Sequence, residues 1–394
     1  MKIQIRNQAG HRLNVGERLL TEKDLVQPKQ ITSLEEGQEI DLVNAQGKFM
    51  ARALVGRQNK GLAWVFTQDP SVHWDHSFLQ QAIANSLQQR SDFFDNPDTT
   101  AFRLINGEGD QLGGLTVDYY AGYLQINWYS AGIYKWQKSI LEILLELLDS
   151  IAGIYETCRF LKKQDLAIRL VWGQDAPQPL MIKENGINYL VYLGQEWMTG
   201  IFLDQREVRQ FINQQASGRL LNLFSYTGAF SVAALVGQVK ETVSVDVANR
   251  SLERTRENFE VNGLVESQDQ EIRVMDVFDY IKYAKRHQLQ FDWVVCDPPS
   301  FARTKKYTFS AANDYQSLAK NLFAMTKAGG YTVLSTNHSG YSKAKFQKDM
   351  NQIAEAFQAS LVHSFGLPGD FPTSQDETSE YLKVLIYYRH EKEV

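Results

Sequence analysis

From about residue 200 onward the chain repeats one rhythm: a short apolar run, a helical stretch, another apolar run, another helix. The runs at 220–224, 242–245, 272–275, 293–296 and 331–334 read as strands. The stretches at 229–236, 248–261, 277–287, 315–326 and 343–357 read as helices, and further runs at 361–365 and 382–388 can close the sheet. Such alternation folds as an α/β, parallel, doubly wound sheet, because each parallel strand needs a crossover and the helices cover both faces. Ligands of these sheets lie beyond the carboxyl ends of the strands. The residues at those ends therefore carry the functional information.

After the first strand comes a tight loop, Ser225-Tyr226-Thr227-Gly228, feeding a helix. The next three strands each end in an aspartate: Asp246, Asp276 and Asp297. One such acid is usually a turn or cap residue; three in register point to a ligand. Asp246 lies eighteen positions after Gly228, close to the spacing at which a carboxylate takes ribose hydroxyls. A dinucleotide would also need GxGxxG, so that its pyrophosphate can approach the backbone. Here only Gly228 is offered, between Tyr226 and Phe230. Ribose recognition without phosphate recognition favours S-adenosylmethionine, with Asp276 toward the adenine. The candidate cofactor set is Phe224, Ser225, Tyr226 and Gly228, then Asp246 with Val247 and Asp276 with Val277.

Asp297-Pro298-Pro299-Ser300-Phe301 is the most specific motif. Two prolines after a buried strand fix a rigid, extended exit and remove backbone donors. Carbonyls near the turn stay free to accept hydrogen from a planar nitrogen, and Phe301 can stack on a flat ring. The bland reading is a stiffened loop over the sheet edge.

Ahead of this region, 394 residues leave room for two further domains. Residues 1–70 read as short strands, with Ile3 and Ile5, runs at 38–43, 49–55 and 62–66, and a turn at Gly47. That spacing suggests a small β-barrel or sandwich, bounded by Asp69-Pro70. Residues 71–190 mix a helix at 78–87, strands at 102–105, 115–117, 124–129, 168–172 and 187–193, and an amphipathic helix at 139–151. The third domain is 191–394. Apolar residues make up 43% and charged residues 22%, ordinary for a globular chain. The only cysteines are Cys158 and Cys296, and no CxxC pair exists, so neither a disulfide scaffold nor a structural metal site is expected. The most apolar stretch is broken by Glu142, Glu146 and Asp149, so no membrane segment is read. The opening residues do not read as a signal peptide, and with reduced thiols this points to the cytoplasm.

At this point several segments are familiar. NLFSYTGAFS, SVDVANRSLERTRENFEVNGL, DPPSF, FRLINGEGDQLGGLTVD at 102–118 and MTGIFLDQREVR at 198–209 resemble the large-subunit (23S) ribosomal RNA methyltransferase I family. These are S-adenosylmethionine enzymes of the 5-methylcytosine type. The resemblance runs along nearly the whole chain. It implies an N-terminal PUA-like RNA-binding domain, a middle α+β domain and a C-terminal Rossmann-like class I methyltransferase domain. It further implies that Thr199, Gly200, Gln205 and Arg206 border the cofactor pocket, and it admits a homodimer.

One departure matters. Methylating carbon 5 of cytosine needs a thiolate that adds at carbon 6. Where the family has its cysteine, this chain reads Thr336-Asn337-His338-Ser339-Gly340, with His338 at the cysteine position. Cys296 precedes Asp297 on a strand, so its side chain points to the opposite face. LSTNHSGY also resembles the guanine-N7 methyltransferase half of a related fused enzyme. A ring nitrogen with a lone pair needs no covalent intermediate, and alignment supplies most of the rate. The candidate catalytic set is therefore Asp297, Pro298, Pro299, Phe301, Asn337 and His338. Carbon 5 of cytosine and a nitrogen of guanine both remain open at this stage.

The net charge is −5, from 41 Lys and Arg against 46 Asp and Glu. Contact with ribosomal RNA must therefore rest on local patches. The candidates are Arg303, Lys305 and Lys306 beside the proline loop, and Lys343, Lys345 and Lys348 on the following helix. A small-molecule methyltransferase is the competing enzyme class, disfavoured by two extra domains. A non-enzymatic assembly module is disfavoured by the intact strand-end acids.

Overall fold

The computed structural model describes residues 1–161, 168–304, 306–376 and 378–391. The chain divides into two compact units. The first comprises residues 1–182, 191–199 and 369–379; the second comprises 183–190, 200–368 and 380–394. The anticipated boundary at residue 70 falls inside the first unit.

The first unit holds two separate sheets. Strands β1 (Lys2–Gln4), β2 (Leu19–Thr21), β3 (Glu39–Val43), β4 (Phe49–Gln58) and β5 (Gly61–Thr67) lie in the order β1-β3-β4-β5-β2. Helices α1 (Asn7–Asn14) and α2 (Pro28–Thr32) accompany them. Ile3, Leu13, Ile31, Leu42, Ala53 and Val65 share one buried core. The sequence reading missed α1. Its segment is polar and carries Gly10, so only Ala9 and Leu13 packing inward make it a helix.

The second sheet runs β10-β9-β8-β7-β6, built from β6 (Ala101–Asn106), β7 (Leu115–Tyr120), β8 (Tyr123–Trp128), β9 (Gly153–Cys158) and β10 (Ile168–Gly173). Helices α3 (His76–Gln89), α4 (Ser91–Phe94), α5 (Ala131–Tyr134) and α6 (Gln137–Leu147) belong to the same layer set. Strand β9 was not anticipated. The helix expected to reach residue 151 ends at Leu147, and a five-residue turn over 148–152 leads into β9. A short hairpin follows, β11 (Leu180–Glu184) with β12 (Ile187–Val191).

The second unit is the doubly wound sheet. Its strands are β13 (Ser217–Leu223), β14 (Gln238–Asp246), β15 (Gln270–Val274), β16 (Phe291–Cys296), β19 (Thr326–Thr336), β20 (Ala359–Phe365) and β21 (Lys383–Arg389), in the order β15-β14-β13-β16-β19-β21-β20. Between β16 and β19 lies a hairpin of β17 (Phe301–Arg303) and β18 (Thr308–Ser310). The order reverses between β13 and β16, the place where such sheets bind ligands. One correction applies. Strand β21 runs antiparallel to both neighbours, so it alone opposes the direction that the other six strands share. An apolar run does not encode strand direction.

Side chains alternate across this sheet. Leu220, Trp293, Val295 and Val333 pack with Val208 and Ile212 of α7 (Arg206–Gln215) and Ala234 of α8 (Ala229–Val236). Leu221, Leu223, Val294, Cys296 and Leu334 pack on the other face. They meet α10 (Val277–Arg286), α11 (Ala311–Met325) and α12 (Lys343–Glu355). Helix α9 (Asn249–Glu260) follows β14. Among the described residues no helix is long and apolar enough to cross a membrane.

Candidate active site

The loop after β13 has an unusual backbone. Phe224 and Tyr226 have φ of 58° and 51°, and Gly228 has 74°. Two non-glycine residues in the left-handed region within three positions is a costly arrangement, and such strain clusters at ligand sites. At Gly228 no other residue fits, because a Cβ would come within 2.4 Å of Thr255 Cγ2. The Gly228 N–H returns to Ser225 O at 2.8 Å, and α8 starts directly after it.

Asp246 ends β14 beside this loop. Its Oδ2 accepts the Tyr226 N–H and its Oδ1 the Ala248 N–H, both at 2.9 Å. The acid thereby fixes the loop, and it still has lone pairs for ribose hydroxyls. Asp276 caps α10, accepting the Phe278 N–H at 2.9 Å. A cleft of about 790 Å³ is lined by Val247, Asp276, Asp279, Arg303, Thr304 and Lys306. Val247 is exposed, whereas Val277 is buried in the core. Gly200 joins the loop through its carbonyl, which accepts from Thr227 Oγ1 at 2.7 Å. Arg206 is buried at the start of α7. Thr199 belongs to the first unit, where its hydroxyl meets the Tyr120 hydroxyl at 3.0 Å. A glycine cradle, a strand-end carboxylate and a second acid at the cleft suit a nucleoside with no phosphate.

Asp297 follows β16 at the same edge. Its Oδ2 accepts from Gln205 Nε2 at 3.1 Å, and that nitrogen also donates to Ser335 Oγ at 2.8 Å. Burial, reinforced by the Asp204 charge, pushes the Asp297 carboxyl up to about 6, against the lowering effect of Ser335, Gln205 and Arg209. Pro298 is buried and Pro299 exposed. Phe301 stands 61% exposed beside the proline pair.

Asn337 and His338 are brought to the proline loop. Ser300 Oγ donates to Asn337 Oδ1 at 2.7 Å. The His338 ring packs on Gly340, and its Nδ1 is buried without a partner among the described residues. Lys383 Nζ donates to the His338 carbonyl at 3.0 Å. Sequence reasoning missed Ser335 and Thr227. Ser335 was findable, because it stands at the carboxyl end of β19.

The cationic candidates separate. Lys306 pairs with Asp279 at 2.9 Å, and Tyr307 hydroxyl donates to the same carboxylate at 2.7 Å. Arg303 is exposed beside them, and Lys305 lies outside the described residues. Lys343, Lys345 and Lys348 are exposed on α12. Neither Lys343 nor Lys345 has a carboxylate partner among the described residues.

Comparison with known proteins agrees with this geometry. The sequence profile of the S-adenosylmethionine-dependent methyltransferase family matches residues 111–388, and that of a PUA-like domain matches 3–68. YwbD of Bacillus subtilis (strain 168), whose name provisionally assigns it as a ribosomal RNA large subunit methyltransferase, is 45% identical over 368 residues. The match covers 90% of this chain and 91% of that protein. Ribosomal RNA large subunit methyltransferase I of Aeromonas salmonicida (strain A449) is 31% identical over 366 residues, covering 89% and 90%. Among solved structures, SMU.776, provisionally described as a methyltransferase and complexed with SAH, superimposes with a TM-score of 0.90. It is 36% identical and covers 98% of this chain and 99% of its own.

Proposed function

Because this chain belongs to the family of S-adenosylmethionine-dependent methyltransferases of large-subunit ribosomal RNA, we propose that it methylates a base of that RNA at a ring nitrogen, N7 of guanine. The observation that carries the choice of atom is the state of the two thiols. Cys296 is fully buried among Leu223, Val294 and Leu334, on the face opposite Val295, and burial pushes its thiol well up. Cys158 lies in the first unit, and burial raises its thiol as well. Neither supplies the exposed thiolate that attack on a cytosine ring requires. N7 of guanine offers its lone pair directly, so the chain has no proton to remove and no covalent bond to form.

The roles follow from the edge of the sheet. Asp246, the strained loop at Phe224, Ser225, Tyr226 and Gly228, and Asp276 hold the cofactor, with Gly200, Gln205 and Arg206 at its border. The set read from the sequence also holds Val247 and Val277 beside those acids and, by resemblance, Thr199. When bound, S-adenosylmethionine supplies an electrophilic methyl group. Asp297 and the carbonyls at Pro298 and Pro299 accept hydrogen from the base. Phe301 stacks on it, and Asn337 with His338 Nδ1 meets its far edge. Fixing acceptor and methyl group in line supplies most of the rate. The three modules, 1–70, 71–190 and 191–394, divide the work, with the PUA-like module for RNA contact and the last for chemistry. The work belongs in the cytoplasm, where subunits mature.

The test is mass spectrometry of nucleosides from 23S RNA of a strain lacking the protein and of its parent. Loss of 7-methylguanosine, restored by the wild type and by Cys296→Ala alike, is the expected result. Loss of 5-methylcytidine would overturn the choice of atom. An unchanged profile would remove ribosomal RNA as the substrate.

A further inference from the structure

We infer that Gln205 is a positioning residue: its amide locks the Asp297 carboxylate and the Ser335 hydroxyl in the arrangement that receives an amino group of the target base. The inference rests on the function proposed above. It assigns Gln205 to the substrate side of the site, beyond the cofactor border that the family resemblance implies for it.

Gln205 is 2% exposed and closes the turn Leu203–Gln205 just before α7. Its single Nε2 reaches Asp297 Oδ2 at 3.1 Å and Ser335 Oγ at 2.8 Å. Both amide hydrogens are thereby used. Asp297 follows β16 and Ser335 sits near the end of β19, and these strands are parallel neighbours. One side chain thus spans two adjacent strand ends and fixes the plane of the carboxylate between them. Ser335 is held from behind, since Tyr315 hydroxyl donates to its carbonyl at 2.6 Å. The remaining atom, Gln205 Oε1, is buried with no partner among the described residues. An unpaired buried acceptor destabilises the site, and a base amino group entering beside Asp297 would relieve that cost.

The charged surroundings make the assignment testable. Asp204, from the same turn, accepts from Tyr381 hydroxyl at 2.8 Å and raises the Asp297 carboxyl. Arg209 of α7 lowers it, although its fork is committed to Glu184 at 2.6 and 2.7 Å. Cys296 and Tyr315 stand close by, and the Asp297 charge raises both of them. Against these, Gln205 and Ser335 are the neutral donors that favour the ionised acid.

The experiment is the pH dependence of single-turnover methyl transfer to 23S RNA by the full chain at saturating S-adenosylmethionine. It compares the wild type, Gln205→Leu and the isosteric Gln205→Glu. The wild-type rate is lost as pH falls through about 6. For Gln205→Leu the acid limb moves up by about one pH unit and the plateau falls about tenfold. For Gln205→Glu, which sets a second carboxylate against the first, the limb moves further up. Calorimetry shows cofactor affinity changing by less than about threefold. An acid limb that stays in place in both variants overturns the inference. So does a cofactor affinity that falls in step with the rate, which would return Gln205 to the cofactor border. A wild type inactive on ribosomal RNA at every pH overturns the underlying function, and the inference with it. Gln205→Glu keeps the test alive if the leucine variant fails to fold.

Discussion

In the first unit the Asp110 side chain is 1% exposed, and both of its oxygens are gripped by the Arg90 fork at 2.7 Å. The Asn106 N–H adds a third bond at 2.6 Å. Arg90 spends its other hydrogens on the carbonyls of Ser86, Arg103 and Asp370. In the second unit the half-buried Asp297 carboxyl meets an amide and a hydroxyl, and no cation pairs with it among the described residues. The contrast belongs to the sites and not to the units, because the second unit also holds a matched pair, Glu184 with Arg209. A buried acid that is fully matched has nothing left for a ligand. One held by neutral donors keeps acceptor capacity and titrates near neutrality.

The comparison breaks most sharply by removing one member of each arrangement. Arg90→Ala strands a buried carboxylate and is expected to cost about 3–5 kcal/mol of stability. Asp297→Asn should do the reverse. The raised folded-state value of about 6 means that the folded protein holds this proton more tightly than the unfolded chain. Stability from this group therefore falls as pH rises from about 4 to 6, and the ionised acid costs at most about 3 kcal/mol above that window. Asp297→Asn is expected to gain about 1–2 kcal/mol at pH 8 and nothing at pH 4, while methyl transfer drops about a hundredfold or more. Urea unfolding at the two pH values, monitored in each unit separately, checks the sign. An asparagine variant less stable at pH 8 would place Asp297 with Asp110.

A third acid sharpens the scheme. Asp246 accepts from two backbone N–H groups, one at Tyr226 in the cofactor loop and one at Ala248 just before α9. Asp246→Ala removes their acceptor and the proposed ribose acceptor together. Hydrogen bonds to a charged group are worth about 1.5–3 kcal/mol, so S-adenosylmethionine affinity should fall about ten- to a hundredfold. Calorimetry measures it directly. Unchanged affinity would make Asp246 a cap residue alone.

The sequence carried the second unit better than the first, for physical reasons. Parallel strands buried on both faces read as plain apolar runs. Helix α8 was bounded by Gly228 and Gly237, so its limits could be read directly. Strand β9 gave no such sign, because its central Glu156 is buried. That acid accepts from Trp128 Nε1, the Tyr134 hydroxyl, Gln137 Nε2 and Arg169 Nε, from four other elements. The strand-end acids were legible because they follow the runs directly. The part assigned to Gln205 was not, since it depends on Asp297 and Ser335, 92 and 130 positions away. Spacing along one chain cannot report a bond of that span.

The same distinction between matched and unmatched charge applies to the cations, where the effect is smallest. Lys306 was expected to meet RNA, yet Asp279 already holds its ammonium at 2.9 Å. Lys345 is exposed on α12, with its nitrogen 5.6 Å from the Tyr341 ring. Lys343 is equally exposed one turn-position earlier on the same helix end. A lysine that neutralises a phosphate releases counterions, so deleting it lowers the salt slope of RNA binding by about one. Lys343→Ala and Lys345→Ala should each do so, leaving stability within about 0.5 kcal/mol. Lys306→Ala should change the slope far less, because its charge is already balanced by Asp279 of α10. Filter binding to 23S RNA across a salt series separates the cases. Equal slopes for all three variants would mean that an exposed ion pair yields readily to phosphate, and that matching protects only charges that are buried.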